Sequence, residues 1–118
     1  LEQRRRDKAL LQSFSKPEEI DLLRDRQIEA IDAGKQTNLL RKASVQKRAE
    51  KQQQQVETLK KQKRPIPADL AAEIDVTKKE LTDIDASLAK QDQDIEQIKQ
   101  KASTDKARFS ELKGVKPK

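Results

Sequence analysis

In the second half of the chain, apolar residues recur alternately every four and three positions. The series runs Leu70, Ile74, Thr77, Leu81, Ile84, Leu88, Gln91, Ile95, Ile98, Ala102, Asp105, Phe109 and Leu112. Ten of these thirteen positions are apolar, and the step holds for six heptads. A repeat of 3.5 residues keeps one narrow seam turned towards a partner helix, as in a coiled coil. The residues between are mostly Lys, Glu, Asp and Gln, which suit helix faces in water. The spacing predicts a helix over 68–113, roughly 65 Å long at about 1.5 Å per residue. Pro65-Ile66-Pro67 cannot lie inside a helix, although Pro67 suits a first turn. Asp69 and Glu73 then place negative charge near the positive dipole end. At the far end Lys113 precedes Gly114, a residue suited to a left-handed cap, and Pro117 prevents continuation.

The first half carries a weaker register of the same kind. Ile28, Ile31, Lys35, Asn38, Lys42, Val45, Ala49, Gln52, Val56 and Leu59 follow the same step, and six of the ten are apolar. Upstream, Ile20 and Leu23 are one step out of phase, so the register is expected to shift there. Ser15 with Glu18 three residues on fits a capping box, and Pro17 falls in the first turn. A helix over 15–63 is the expectation.

Folding the halves back about the Pro-rich turn at 64–67 makes facing residues share a constant index sum. A sum of 129 or 130 sets Leu59 by Leu70, Val56 by Ile74, Ala49 by Leu81, Val45 by Ile84 and Ile31 by Ile98. The polar seam positions also meet: Gln52 with Thr77, Asn38 with Gln91, Arg24 with Asp105. Polar groups at a buried seam need partners, and layers of them fix register. Lys35 and Lys42 face Ile95 and Leu88, which their stems cover while the ammonium groups reach water.

Charge follows the same pairing. Residues 35–64 hold ten Lys/Arg and two Glu, net +8, while 69–96 hold nine Asp/Glu and three Lys, net −6. Single exposed pairs contribute only about 0–1 kcal/mol. As a pattern they disfavour parallel self-pairing, in which like meets like.

Residues 1–14 form a short amphipathic leading segment, with Arg4-Arg5-Arg6 followed by Ala9, Leu10, Leu11 and Phe14. It is expected to fold against the open base of the hairpin near Phe109 and Leu112, or to come in from a preceding domain. The expected fold is all-α: a long antiparallel two-helix coiled-coil hairpin with a short N-terminal helical segment and a tail at 114–118.

Composition narrows function mostly by exclusion. The 118 residues are 41% charged and 32% hydrophobic, which permits disorder, but the apolar residues keep a period. With no His and no Cys, the usual zinc and haem ligands and the commonest nucleophiles and bases are missing. Two Gly do not make a phosphate-cradling loop. Asp92, Asp94 and Glu96 lack the glycine turn and distal Glu of a calcium loop. Glu73 and Asp75 have no pocket around them for acid–base work in a two-helix hairpin. Gln52 to Gln55 read as a solvated helix with one residue in the seam. No catalytic residue, metal site or cofactor is therefore expected, and no apolar run approaches the roughly 18 residues of a membrane span. The absence of Met suggests a processed product or a piece of a longer protein.

Two binding functions stay open. The basic stretch 35–64 and Arg4 to Arg6 suit nucleic-acid phosphates, yet no aromatic lies between Phe14 and Phe109 to stack on bases. Leu10, Leu11, Leu22, Leu39 and Leu40 lie off the main seam. They are candidates for a contact surface that pairs with a second copy, in a four-helix dimer, or with another helical protein. Two helices alone bury little apolar area.

Residues 4–35, RRRDKALLQSFSKPEEIDLLRDRQIEAIDAGK, and the later RPIPADLAAEI resemble the coiled-coil portion of uncharacterised proteobacterial envelope proteins. The resemblance rests on the Arg-rich start, Ala9-Leu10-Leu11, Phe14-Ser15, Glu19-Ile20, Arg24-Asp25-Arg26, Ile31-Asp32 and Pro65 to Leu70. In that family a signal peptide and a small domain of unknown function precede such a segment. The resemblance implies a periplasmic location and transfers no catalytic or ligand residue. A non-catalytic structural or interaction module is the expected function, with a basic nucleic-acid-binding arm as the alternative.

Overall fold

In the computed structural model, residues 1–114 are described, and their regular structure is entirely helical. The elements are α1 (Glu2–Ser13), α2 (Pro17–Lys61) and α3 (Ala68–Lys113). The protein is all-α, an antiparallel hairpin of α2 and α3 with α1 as a short N-terminal helix. Every seam position named above, in both helices, is partly or fully buried. Contacts divide the chain into two units, one of Leu1–Asp32 with the stretch from Asp92 onward, the other of Ala33–Gln91.

In the second unit the two helices pair in the expected register. Val45, Val56 and Ile84 are buried among the seam residues, with Ile84 only 1% exposed. Asn38 Nδ2 donates to Gln91 Oε1 at 3.0 Å. Gly34 lies beside this pair, and a Cβ there would stand 2.9 Å from Gln91 Nε2. Thr77 and Gln52 are both buried, but the partners of the Thr77 hydroxyl are Glu73 and Arg48 rather than Gln52. The Thr77 hydroxyl donates to Glu73 O at 3.0 Å and accepts from Arg48 Nε at 3.2 Å. Lys42 also reaches across the helix pair, to Asp85 at 2.7 Å. Among the described residues no buried side-chain nitrogen or oxygen lacks a hydrogen-bond partner.

α2 ends in two crossed backbone bonds. Arg64 N–H donates to Leu59 O at 2.9 Å and Lys63 N–H to Lys60 O at 3.1 Å. This is the Schellman arrangement, which normally places Gly in the left-handed position. Here Lys63 occupies it, with φ 54°. α3 ends with Gly114 at φ 69°, the left-handed residue expected there. Pro117 lies outside the described residues.

The first unit is a three-helix base. Ile20, Ala102 and Phe109 form a buried cluster against which Leu10 and Phe14 pack. α1 thus folds against the base of the hairpin, the first of its two expected placements. A bidentate pair fastens it: Arg108 Nε and Nη2 donate to Asp7 Oδ1 and Oδ2 at 3.0 and 2.8 Å.

Three local expectations are corrected here. The carboxylate at the start of α2 comes from Glu19, whose Oε1 accepts from Ser15 N–H at 3.2 Å, instead of from Glu18. Pro17 is the first helical residue, so Glu19 rather than Glu18 takes the third position of the first turn. The register shift above Ile28 brings Ile20 inward and leaves Leu23 out, at 3% and 43% exposure. Two successive four-residue steps, Ile20 to Arg24 to Ile28, keep Ile20 on the side of Phe109. Arg24 pairs with Asp21 at 3.1 Å and Asp25 at 2.9 Å on its own helix. Asp105 pairs with Lys101 at 3.3 Å, and the cross-helix pair is Lys106 to Asp21 at 2.7 Å. Asp21, three residues back on the same helix face, and the adjacent Asp25 hold the guanidinium instead of the carboxylate across the seam.

Candidate interaction surface

The three-helix base leaves an apolar groove on its surface. Its volume is about 620 Å³, and Phe14, Ile20, Leu23, Ala30, Ile31, Ile98 and Ala102 line it together with Gln27 and Gln97. Arg24, Lys101, Asp94 and Asp105 supply charge of both signs to the same groove. A neighbouring depression of about 540 Å³ shares Phe14, Leu23 and Lys101 and adds Ser13, Glu19, Leu22 and Arg26. Leu22 is 56% exposed. An open apolar strip with charged neighbours suits the apolar face of another helix better than it suits a small molecule.

The five leucines off the seam are divided between the two units. Leu10 packs on the buried cluster of the base and is committed to holding α1. Leu11 is exposed on α1. Leu22 borders the depression just described. Leu39 and Leu40 belong to the second unit, and Leu40 is 74% exposed. Leu23, an apparent member of a displaced seam in the sequence, belongs with Leu22 on this surface. Only the burial of Ile20 in its place reveals this.

The remaining candidate chemistry is mostly used internally. Arg48 bridges Thr77 and Glu80, the latter at 2.8 Å. Lys42 is held by Asp85. Glu73 contributes its backbone carbonyl to Thr77. Asp94 lies in the apolar groove. Among the described residues, no three His, Cys, Asp or Glu side chains gather where they would hold a metal ion. None of the described helices is long and apolar enough to cross a membrane.

Three groups of the base have clearly shifted pKa values, Asp7, Arg108 and Arg24. The Arg108 fork holds the Asp7 carboxyl at about 2, below its ordinary 3.8. Arg108 is raised in turn by its hydrogen bonds to Asp7 and then Glu111. Arg24 is raised, chiefly by its hydrogen bond to Asp25. Each of these shifts is the consequence of an ion pair that joins two helices or braces one. No family model, curated protein or solved structure matches the chain.

Proposed function

We propose that the chain is a non-catalytic structural module that joins proteins through helix packing, pairing with a second copy or with another helical protein. The single observation carrying this reading is the apolar groove of the base, whose Leu23 and neighbouring Leu22 remain exposed although the chain's own seam is complete. Burying two such leucines is worth at most about 1.5–3 kcal/mol each, so a micromolar complex, about 8 kcal/mol, also draws on the other apolar side chains that line the groove. The inward use of Lys42 and Arg48 weighs against the alternative, a basic arm on nucleic acid. The resemblance to envelope proteins adds a periplasmic location to the proposal, checked by fractionating bacterial cells that express the protein.

Sedimentation equilibrium tests the association. The mass is expected to rise from one chain towards two across the micromolar range and to stay at one chain in a Leu22→Glu/Leu23→Glu variant. A monomer at every concentration that binds mixed RNA near physiological salt contradicts the proposal and favours the nucleic-acid arm. Replacing Arg41, Lys47 and Lys51 by Gln then probes that arm. Arg48 is left in place because it braces the helix pair.

A further inference from the structure

The apex of the hairpin carries charge that no acidic neighbour takes up. Lys60 and Lys61 close α2, and Lys63 and Arg64 follow in the connection to α3. Residues 60–67 contain these four cations and no Asp or Glu. All are exposed, and among the described residues none of the four makes an ion pair, whereas Lys42 and Arg48 lower down each have an acidic partner. Nor are they needed as helix caps. The carbonyls of Leu59 and Lys60 already accept from the backbone N–H groups of Arg64 and Lys63. Lys63 occupies a left-handed position that Gly would fill without steric cost, and it sets a cation at the tip of the turn. Ile66 stands at the same apex between two prolines, 42% exposed.

We propose that this apex binds an anionic lipid bilayer surface, with Lys60, Lys61, Lys63 and Arg64 on the headgroup phosphates and Ile66 seated at the acyl boundary. This goes beyond helix-mediated pairing, which uses the base. Clustered cations beside an exposed aliphatic residue are what an anionic interface attracts. Single-stranded nucleic acid has the same phosphates but is gripped through stacked bases, and the second unit holds no aromatic residue. Each cation near such a surface multiplies the bound fraction by about fivefold at moderate salt.

Vesicle co-sedimentation of the whole chain tests this. Vesicles of phosphatidylcholine with about one third phosphatidylglycerol, at about 0.1 M NaCl, are expected to carry the protein down, and pure phosphatidylcholine vesicles are not. Lys60→Gln/Lys61→Gln/Lys63→Asn is expected to lower the partition about a hundredfold, because Asn tolerates the left-handed backbone and leaves the turn intact. The matched control, Arg41→Gln/Lys47→Gln/Lys51→Gln, removes the same charge away from the apex and is expected to lose far less. Ile66→Ser is expected to weaken binding severalfold. Circular dichroism verifies that each variant is helical. Equal losses in the two triple variants would show net charge rather than the apex at work and overturn the proposal. So would failure to bind the anionic vesicles, or binding to mixed RNA at the same salt that depends on the apex cations.

Discussion

Ile84 and Asn38 show the two kinds of residue that hold the second unit together. Ile84 is 1% exposed in the middle of the seam, so a carboxylate there has neither water nor a partner. Ile84→Asp is expected to cost several kcal/mol, enough to abolish the helical circular dichroism signal of a marginal hairpin at room temperature. An unchanged melting curve would place Ile84 outside the seam. The Asn38–Gln91 hydrogen bond, only partly buried, acts on register more than on stability. Asn38→Leu strands the Gln91 amide and is expected to cost about 1 kcal/mol. Adding Gln91→Leu is expected to recover most of that loss. Urea titrations of the single and double variants, combined as a cycle, measure the coupling. Both residues were legible from spacing alone, because a polar residue that keeps the step of an apolar seam has only a facing polar position to answer it. Arg24 was not, because its partner is settled by which carboxylate lies nearest, and that depends on rotamers.

At the scale of elements, the helix ends and the docking of α1 separate what pattern reveals from what it hides. Pro67 and Gly114 mark the bounds of α3 by backbone chemistry that any sequence shows. The end of α2 carries no Gly, and its left-handed residue is Lys63. Lys63→Gly removes a Cβ clash worth roughly 1 kcal/mol and is expected to raise the unfolding midpoint in urea by a corresponding amount. A lower midpoint would mean that Lys63 does not hold that backbone. The attachment of α1 is similarly half legible. Leu10 and Phe14 suggest a greasy face, but the fork between Asp7 and Arg108 joins residues about a hundred positions apart with no periodicity to link them. Because Asp7 titrates at about 2 instead of 3.8, its contribution is complete above about pH 4 and is lost as pH falls towards 2. NMR resonances of Leu10 and of the Arg108 Nε–H are expected to stay constant from pH 7 to about pH 3 and to shift with a midpoint near 2. A transition centred near the ordinary carboxylate value would show that the fork is not formed.

For the whole molecule, the charge partition and the period together specify an antiparallel chain reversal. The cations of 35–64 and the carboxylates of 69–96 meet in Lys42–Asp85 and Arg48–Glu80. The register is carried by Asn38 and Gln91. The apolar groove of the base was not legible. It depends on Leu23 turning out while Ile20 turns in, a choice made by packing against Phe109 and invisible to a step rule. The central claim is that one chain pairs with itself about the Pro65 to Pro67 turn. The most direct test is an electron-spin distance measurement on a Ser44→Cys/Ala86→Cys variant, labelled at both sites and diluted into unlabelled protein. Packed helices lie about 10 Å apart, so a single narrow distance below about 30 Å is expected once label length is included. A distribution centred near 60 Å, the span of those residues along an unbroken helix at about 1.5 Å per residue, would contradict it.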